Sequence, residues 1–246
     1  MQFRFDFARF DFEPWRAALS GLVEGARTLP RRLPFDQLVK SMISGRTKDA
    51  VSARSYLRLR ARFPTGASLA GAAPGDVERL IARVTFPEVK AAHVVDAARR
   101  VGRAWPDYDL SRLRGLPPEA RLEWLERLPG VGRKVAASTL NASTLRLPVY
   151  IVDTHVWRVM RRTGIVPANA AARDVSMFVT ESMPDWDGET FTLFHVAVKR
   201  LGQTLCRDAE PLCGLCPLAA DCATARARGG VRSARRLPRA RGPWRR

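Results

Sequence analysis

Residues 128–134 read LPGVGRK, so Gly130 and Gly132 flank Val131 just ahead of Arg133 and Lys134. Glycines admit positive φ and let a second backbone come close. N–H groups at the start of a following helix point outward and suit a phosphate. Such a turn can grip a DNA backbone without reading its sequence, although short G-x-G runs also serve as plain tight turns. A lysine in the first turn of that helix is open to three readings: surface cation, phosphate contact or amine nucleophile. The last needs a neutral amine, which partial burial and nearby positive charge, here Arg133 and the helix N-terminus, both favour.

Asp153 lies in VDTH, 19 residues beyond Lys134. It suits the N-cap of the helix that follows. A carboxylate of this kind can also stabilise an oxocarbenium-like sugar centre or take a proton from an attacking amine. Capping and catalysis are compatible.

All four cysteines fall within 17 residues, Cys206, Cys213, Cys216 and Cys222, spaced C-x6-C-x2-C-x5-C. Structural zinc sites usually pair cysteines in two short knuckles, and one such pair exists here. Four thiolates from a compact loop can also hold a [4Fe–4S] cluster. Spacing alone leans only slightly to iron–sulfur.

The elements that must position these groups are helical almost throughout. Leu38, Val39, Met42 and Ile43 share one face of a helix over 35–43. A helix over 49–63 opens with Asp49 as N-cap and buries Val51, Tyr56 and Leu59. Amphipathic helices follow over 75–84 and 90–103, Pro117 and Pro118 start another, and 132–144 continues from the glycine turn. Asp153 and Gly164 bound the next helix, and two more cover roughly 171–183 and 190–206. LPVYIV at 147–152 is the one β-like run, and MQFRFDF at the start suits a strand or an extended arm. His93 reads as a helix-face residue, His195 as a satisfied core histidine and His155 as a first-turn residue beside Asp153.

The chain has 246 residues, 46% hydrophobic, with 42 Lys+Arg against 24 Asp+Glu and a net charge of +18. So basic a balance points to a polyanion, with nucleic acid first. Nine arginines and no acid follow Cys222, which makes 223–246 a basic, disordered tail and a candidate nucleic-acid arm. No apolar run reaches the ~18 residues of a membrane span, and the N-terminus has no signal-peptide core. The expected setting is cytoplasmic and reducing, where cysteines are thiols or metal ligands.

Taken together, LPGVGRK, VDTH and the cysteine spacing resemble the endonuclease III family of helix–hairpin–helix DNA glycosylases, over about Pro34 to Cys222. The resemblance implies an all-α, two-lobed fold. A six-helix barrel would take 27–147, and 1–26 with 148–222 would form the lobe holding a [4Fe–4S] cluster on Cys206, Cys213, Cys216 and Cys222. It also implies a monomer that binds double-stranded DNA through Gly130, Val131, Gly132 and Arg133, with Lys134 and Asp153 at the mouth of a cleft. Lys134 would attack C1′ of an oxidised pyrimidine nucleotide, with Asp153 assisting, and β-elimination would then cut the strand. The chain departs from the family at two positions. Arg46, in SGRTKD, stands where a gap-filling glutamine is usual, and Phe86 stands at the usual leucine wedge. The cysteine loop carries Asp208 and Glu210 where basic residues are typical, a deficit the arginine tail would offset. Competing readings are an adenine-mismatch glycosylase, a DNA-binding paralogue with little catalysis, and a zinc-ribbon regulator.

Overall fold

The computed structural model describes residues 9–26 and 31–229. Within them the regular structure is helical and no strand forms. The α-helices are α1 (Glu13–Ala18), α2 (Pro34–Ser44), α3 (Asp49–Arg62), α4 (Gly66–Ala70), α5 (Pro74–Ile81) and α6 (Pro87–Ala104). They continue with α7 (Pro118–Glu126), α8 (Arg133–Asn141), α9 (Thr154–Thr163), α10 (Ala172–Ser182), α11 (Gly188–Thr204) and α12 (Ala223–Ala227). None is long and apolar enough to cross a membrane. MQFRFDF and most of the arginine tail lie outside the described residues.

The chain divides into two compact units: Arg31–Arg146, and the residues before and after it. In Arg31–Arg146, α2 is the central element and packs against α3, α6 and α8. Leu38, Val39, Met42 and Ile43 are buried as the periodicity predicts, but so are Phe35, Gln37 and Ser41. A helix covered on most sides must satisfy its polar side chains internally. The Gln37 amide donates to Ser41 Oγ (2.9 Å) and Ser138 Oγ (3.1 Å), and the two hydroxyls are 3.0 Å apart. This buried triad ties α2 to α8.

Some sequence expectations fail here for tertiary reasons. Lys48, not Asp49, is the N-cap of α3, and Asp49 sits in the first turn, where its charge suits the helix dipole. Tyr56 and Leu59 are buried, but Val51 is only half-buried while Ser52 and Ser55 take the inner face. Two short elements carry no strong pattern: α4, closed by a reciprocal Thr65–Ser68 capping box, and a 3-10 helix at Leu110–Gly115.

In the other unit the core gathers Phe12, Trp15, Tyr150, Trp186, Phe191 and Phe194. LPVYIV crosses it in an extended conformation but forms no strand. Helix side chains, not a neighbouring strand, satisfy its backbone: Tyr150 N–H donates to Thr180 Oγ1 (2.9 Å), and Ser176 Oγ donates to the Tyr150 carbonyl (2.6 Å). The β-branched run reads as a strand because it is buried, and burial is all that period can report. The segment after Cys222 also differs from the disordered tail expected over 223–246. Its first residues form α12, with Ala225 buried against the cysteine loop and Thr224 Oγ1 donating to the Arg162 carbonyl (2.8 Å).

Ser138→Ala removes two contacts and leaves the buried Gln37 amide under-satisfied. Denaturant unfolding should show a loss of about 1–3 kcal/mol. An unchanged midpoint would mean that the triad does not help hold α8.

Candidate active site and cysteine centre

Helices α7 and α8 and their connection form a helix–hairpin–helix. Gly130 takes φ +72°, and a side chain there would meet His93, whose Nδ1 lies 2.7 Å from where a Cβ would stand. Gly132 is extended (φ −100°, ψ 179°) and is the N-cap of α8, which has no side-chain cap and no acid in its first turn. A Cβ on Gly132 would meet nothing within 4 Å. The fold therefore needs glycine at 130. At 132 it leaves open space in front of the helix N-terminus, as an approaching anion requires.

Two residues expected to touch DNA are turned inward instead. Val131 is 6% exposed, and its N–H donates to the Leu128 carbonyl (3.1 Å), so neither its side chain nor its amide is on offer. The Arg133 side chain is 6% exposed and faces α7. Its Nη2 donates to Glu119 Oε1 (2.8 Å), and its Nε makes a charge contact with Glu126 Oε1 (2.7 Å). Apolar packing accounts for Val131 and ion pairing for Arg133. Because two carboxylates flank the guanidinium, Arg133 is not the positive neighbour that would disfavour protonation of Lys134. Lys134 lies in the first turn of α8, half-buried. Its charge is felt by Lys90 on α6, which burial first and Lys134 second push down to about 8.

Arg46 and Phe86 occupy two loops that are fastened together. Both are exposed, Phe86 at 52%, and both take φ +55°, the left-handed region that costs a non-glycine residue of order 1–3 kcal/mol. Phe86 also precedes Pro87, which disfavours helical backbone before it. Thr85 N–H donates to Thr47 Oγ1 (3.1 Å), and Thr85 Oγ1 donates to the Arg46 carbonyl (2.8 Å). Lys90 Nζ donates to the carbonyls of Ile43 (3.1 Å) and Gly45 (2.5 Å) and to Thr47 Oγ1 (3.2 Å). Sequence reading missed Lys90. The signal was a lysine in the first turn of a helix, where the dipole disfavours a cation.

Asp153 is the N-cap of α9, as the sequence predicts. One carboxylate oxygen accepts from the N–H groups of His155 and Val156, both at 2.9 Å, and Gly164 ends the helix at φ +81°. Burial acts most strongly on its carboxyl and raises its pKa. His195, the Val156 N–H, Lys199 and His155 together outweigh burial and hold the group below the usual carboxylate range. Asp153 is therefore ionised at neutral pH. His195 Nδ1 is 2.8 Å from the Ile151 carbonyl, and Arg158 Nη2 is 3.2 Å from His155 Nδ1.

The four cysteines line a single cavity together with Leu205, Leu212 and Arg162. Cys222 is buried and the others are half-buried. Burial raises the Cys216 and Cys222 thiols, and the neighbouring cysteines add to that, while N–H groups of Leu218, Thr224 and Ala225 act to lower them. The thiols ring the cavity. Among the described residues, no three Cys, His, Asp or Glu side chains close on a single-ion position. Arg162 reaches over the site, with Nη1 3.7 Å from Cys206 Sγ.

With this geometry in hand, the chain was compared with known proteins. Residues 39–184 match the family described as HhH-GPD superfamily base excision DNA repair protein. The chain is 30% identical over 213 residues to endonuclease III of Synechocystis, covering 85% of this chain and 90% of that one. It is 32% identical over 163 residues to adenine DNA glycosylase of Mycolicibacterium smegmatis, covering 64% of this chain and 50% of that protein. In fold it matches a trapped endonuclease III–DNA covalent intermediate with an estranged adenine, at TM-score 0.71 and 22% identity, over 89% of this chain and 99% of that one. The protein is thus of the base excision repair glycosylase class. Within that class the chain belongs to the endonuclease III family.

Two outcomes follow from these contacts. Arg133→Ala leaves Glu119 and Glu126 without their cation. Both are partly exposed, so the cost is about 1–2 kcal/mol, below that of a fully buried pair, and chemical denaturation would measure it. A neutral result would show that the ion pairs do not hold the hairpin. Asp153→Asn keeps a capping oxygen and costs a few tenths of a kcal/mol, whereas Asp153→Ala costs about 1 kcal/mol. Because the Asp153 carboxyl is held low, its share of stability is present above about pH 3.9 and is lost as pH falls through its folded value. Equal losses for the Asn and Ala variants at pH 7 would assign the effect to charge alone.

Proposed function

We propose that the protein is a bifunctional DNA glycosylase and abasic-site lyase that removes oxidised pyrimidines from double-stranded DNA. Lys134 carries the reading: an amine in the first turn of a helix with no side-chain cap, directly after the Gly130 turn, with a second ammonium acting on it. The +18 net charge supports a phosphate backbone as partner. Gly132, with open space before the α8 N-terminus, receives a phosphate.

In this mechanism the damaged nucleotide is flipped out of the stack. Phe86 wedges into the duplex and Arg46 fills the gap left behind. The neutral Lys134 Nζ forms a bond to C1′ as the N-glycosidic bond breaks, and the base leaves with a proton. The Asp153 carboxylate, ionised at neutral pH, stabilises positive charge on the sugar and takes the proton shed by the amine. Ring opening gives a Schiff base between Lys134 and the sugar. Loss of a C2′ proton then expels the 3′ phosphate and cuts the strand.

Cys206, Cys213, Cys216 and Cys222 hold a [4Fe–4S] cluster in this reading. They line one cavity rather than meeting at a point, which suits a multinuclear group, and N–H groups act on Cys216 and Cys222, as sulfur ligands require. When bound, the cluster orders the loop over 206–222. The spread of the thiols also weighs against a single zinc ion. The adenine-mismatch reading loses ground because this chain spans only half of the M. smegmatis enzyme but 90% of the Synechocystis one.

Borohydride trapping on duplex DNA containing thymine glycol or an abasic site tests the proposal. Wild type should form a covalent adduct and Lys134→Ala none, and iron and acid-labile sulfide should co-purify in equal amounts. No adduct from wild-type protein that still binds the duplex would leave a DNA-binding protein without lyase chemistry.

A further inference from the structure

We propose that Lys90 is a positioning residue that acts through Lys134: a fixed cation, locked to the end of α2, that faces the reactive amine. The inference rests on Lys134 being the nucleophile.

Three oxygen acceptors pin Lys90: the Ile43 and Gly45 carbonyls at the C-terminal end of α2, and Thr47 Oγ1 in the loop that carries Arg46. All three are uncharged, so the ammonium is oriented without being neutralised. A helix C-terminus also carries partial negative charge, which favours keeping a cation there. Three residues further along α6, His93 packs beneath Gly130. One face of α6 thus supports the glycine turn with His93 and presents Lys90 to Lys134 in the turn that follows. The closest alternative source of positive charge, Arg133, is balanced by Glu119 and Glu126.

Burial and then the Lys134 charge lower the affinity of Lys90 for its proton. Among the described residues, other ionisable groups lie on elements around Lys90: Lys40 on α2, Asp76 and Glu78 on α5, and Glu88 and His93 on α6. Lys134 is the one charged group that contributes to the shift. Repulsion between two cations is mutual, so Lys90 disfavours protonation of Lys134 as well. An amine nucleophile needs this, and a neighbouring cation is a known physical route to it. The same Lys90 bonds brace the loop of Arg46. Through Thr47 and Thr85 they also brace the loop of Phe86, so the groups that enter the duplex and the amine that attacks share one anchor.

The test is single-turnover borohydride trapping on an abasic-site duplex, with protein in excess, across pH 5.5 to 9. Lys90→Gln removes the charge but keeps a donor for the α2 carbonyls, and Lys90→Arg keeps the charge. Lys90→Gln should move the acid limb of the trapping rate to higher pH. Each unit of movement appears as a roughly tenfold slower rate on the acid side. At high pH the rate should approach wild type, and Lys90→Arg should keep the wild-type limb. A Lys90→Gln limb that coincides with wild type, with the rate lowered equally at every pH, would reduce Lys90 to a structural brace and overturn the proposal. If Lys90→Gln does not fold, as judged by circular dichroism, the Lys90→Arg profile decides. A folded Lys90→Arg with a displaced limb would show that charge at this point does not set it, whereas an unchanged limb supports the proposal. Wild type is the control for the underlying reading, because its failure to trap at any pH would remove the nucleophile itself.

Discussion

The buried guanidinium of Arg133 fixes the first turn of α8, and the chemistry of the site depends on that turn. Glu119 and Glu126 hold it from α7, and Ser138, one face further along, is held from α2 by Gln37 and Ser41. Helix α8 is thus clamped by an ion-pair contact at its start and a neutral hydrogen-bond triad at its middle. A lysine side chain has four rotatable carbons and is a poor nucleophile unless its base is rigid. The clamp supplies that rigidity. It also balances the charge of the one arginine adjacent to the lysine in sequence.

The electrostatics around the two reactive groups have opposite requirements, and the fold meets them separately. Lys134 must give up its proton near neutral pH, so it needs positive neighbours and partial burial. Asp153 must stay ionised while partly buried, so it needs N–H donors and cations. Asp153 obtains them locally, from the first turn of α9 and from His195 and Lys199 on α11. Lys134 obtains its neighbour from Lys90, some forty residues away in sequence, because a turn of helix cannot provide a fixed cation pointing back at its own second residue. Net charge, however large, is a poor guide to either environment.

That difference explains what was legible in the sequence. Asp153 and Gly164 were readable as helix bounds because a cap satisfies the N–H and C=O groups of its own helix. The α2 face, the glycine turn and the cysteine spacing are also local patterns. Arg133 and Val131 were misread because their positions in the turn are those of a DNA contact, and only the packing of α7 turns them inward. Asp49 failed as a cap by one residue, within the usual uncertainty of helix ends. LPVYIV failed because an extended, buried run needs partners but not necessarily a strand. Thr180, Ser176 and His195 served instead. Lys90 had no motif to announce it, since its role lies in which oxygens it reaches across α2 and its loop.

The cysteine loop and Asp153 are likewise linked by one element. Helix α9 begins at the Asp153 cap and, about 15 Å later at 1.5 Å per residue, ends beside the thiols. Arg158 and Arg162, one turn apart, bind carbonyls of that loop: Arg158 those of Cys206 and Gly202, Arg162 those of Arg207 and Asp208. Arg158 also touches His155 in the first turn, beside the N–H that Asp153 accepts. Five or more carbonyl and thiol contacts therefore hold the C-terminal half of α9 to a loop that has little apolar core of its own, Ala219, Cys222 and Ala225. So small a core cannot by itself offset the entropy of ordering the loop. Whatever group the four thiols bind thus orders α9, and through α9 it sets the direction of the Asp153 carboxylate. A cluster that takes no part in the reaction still bears on it by this route.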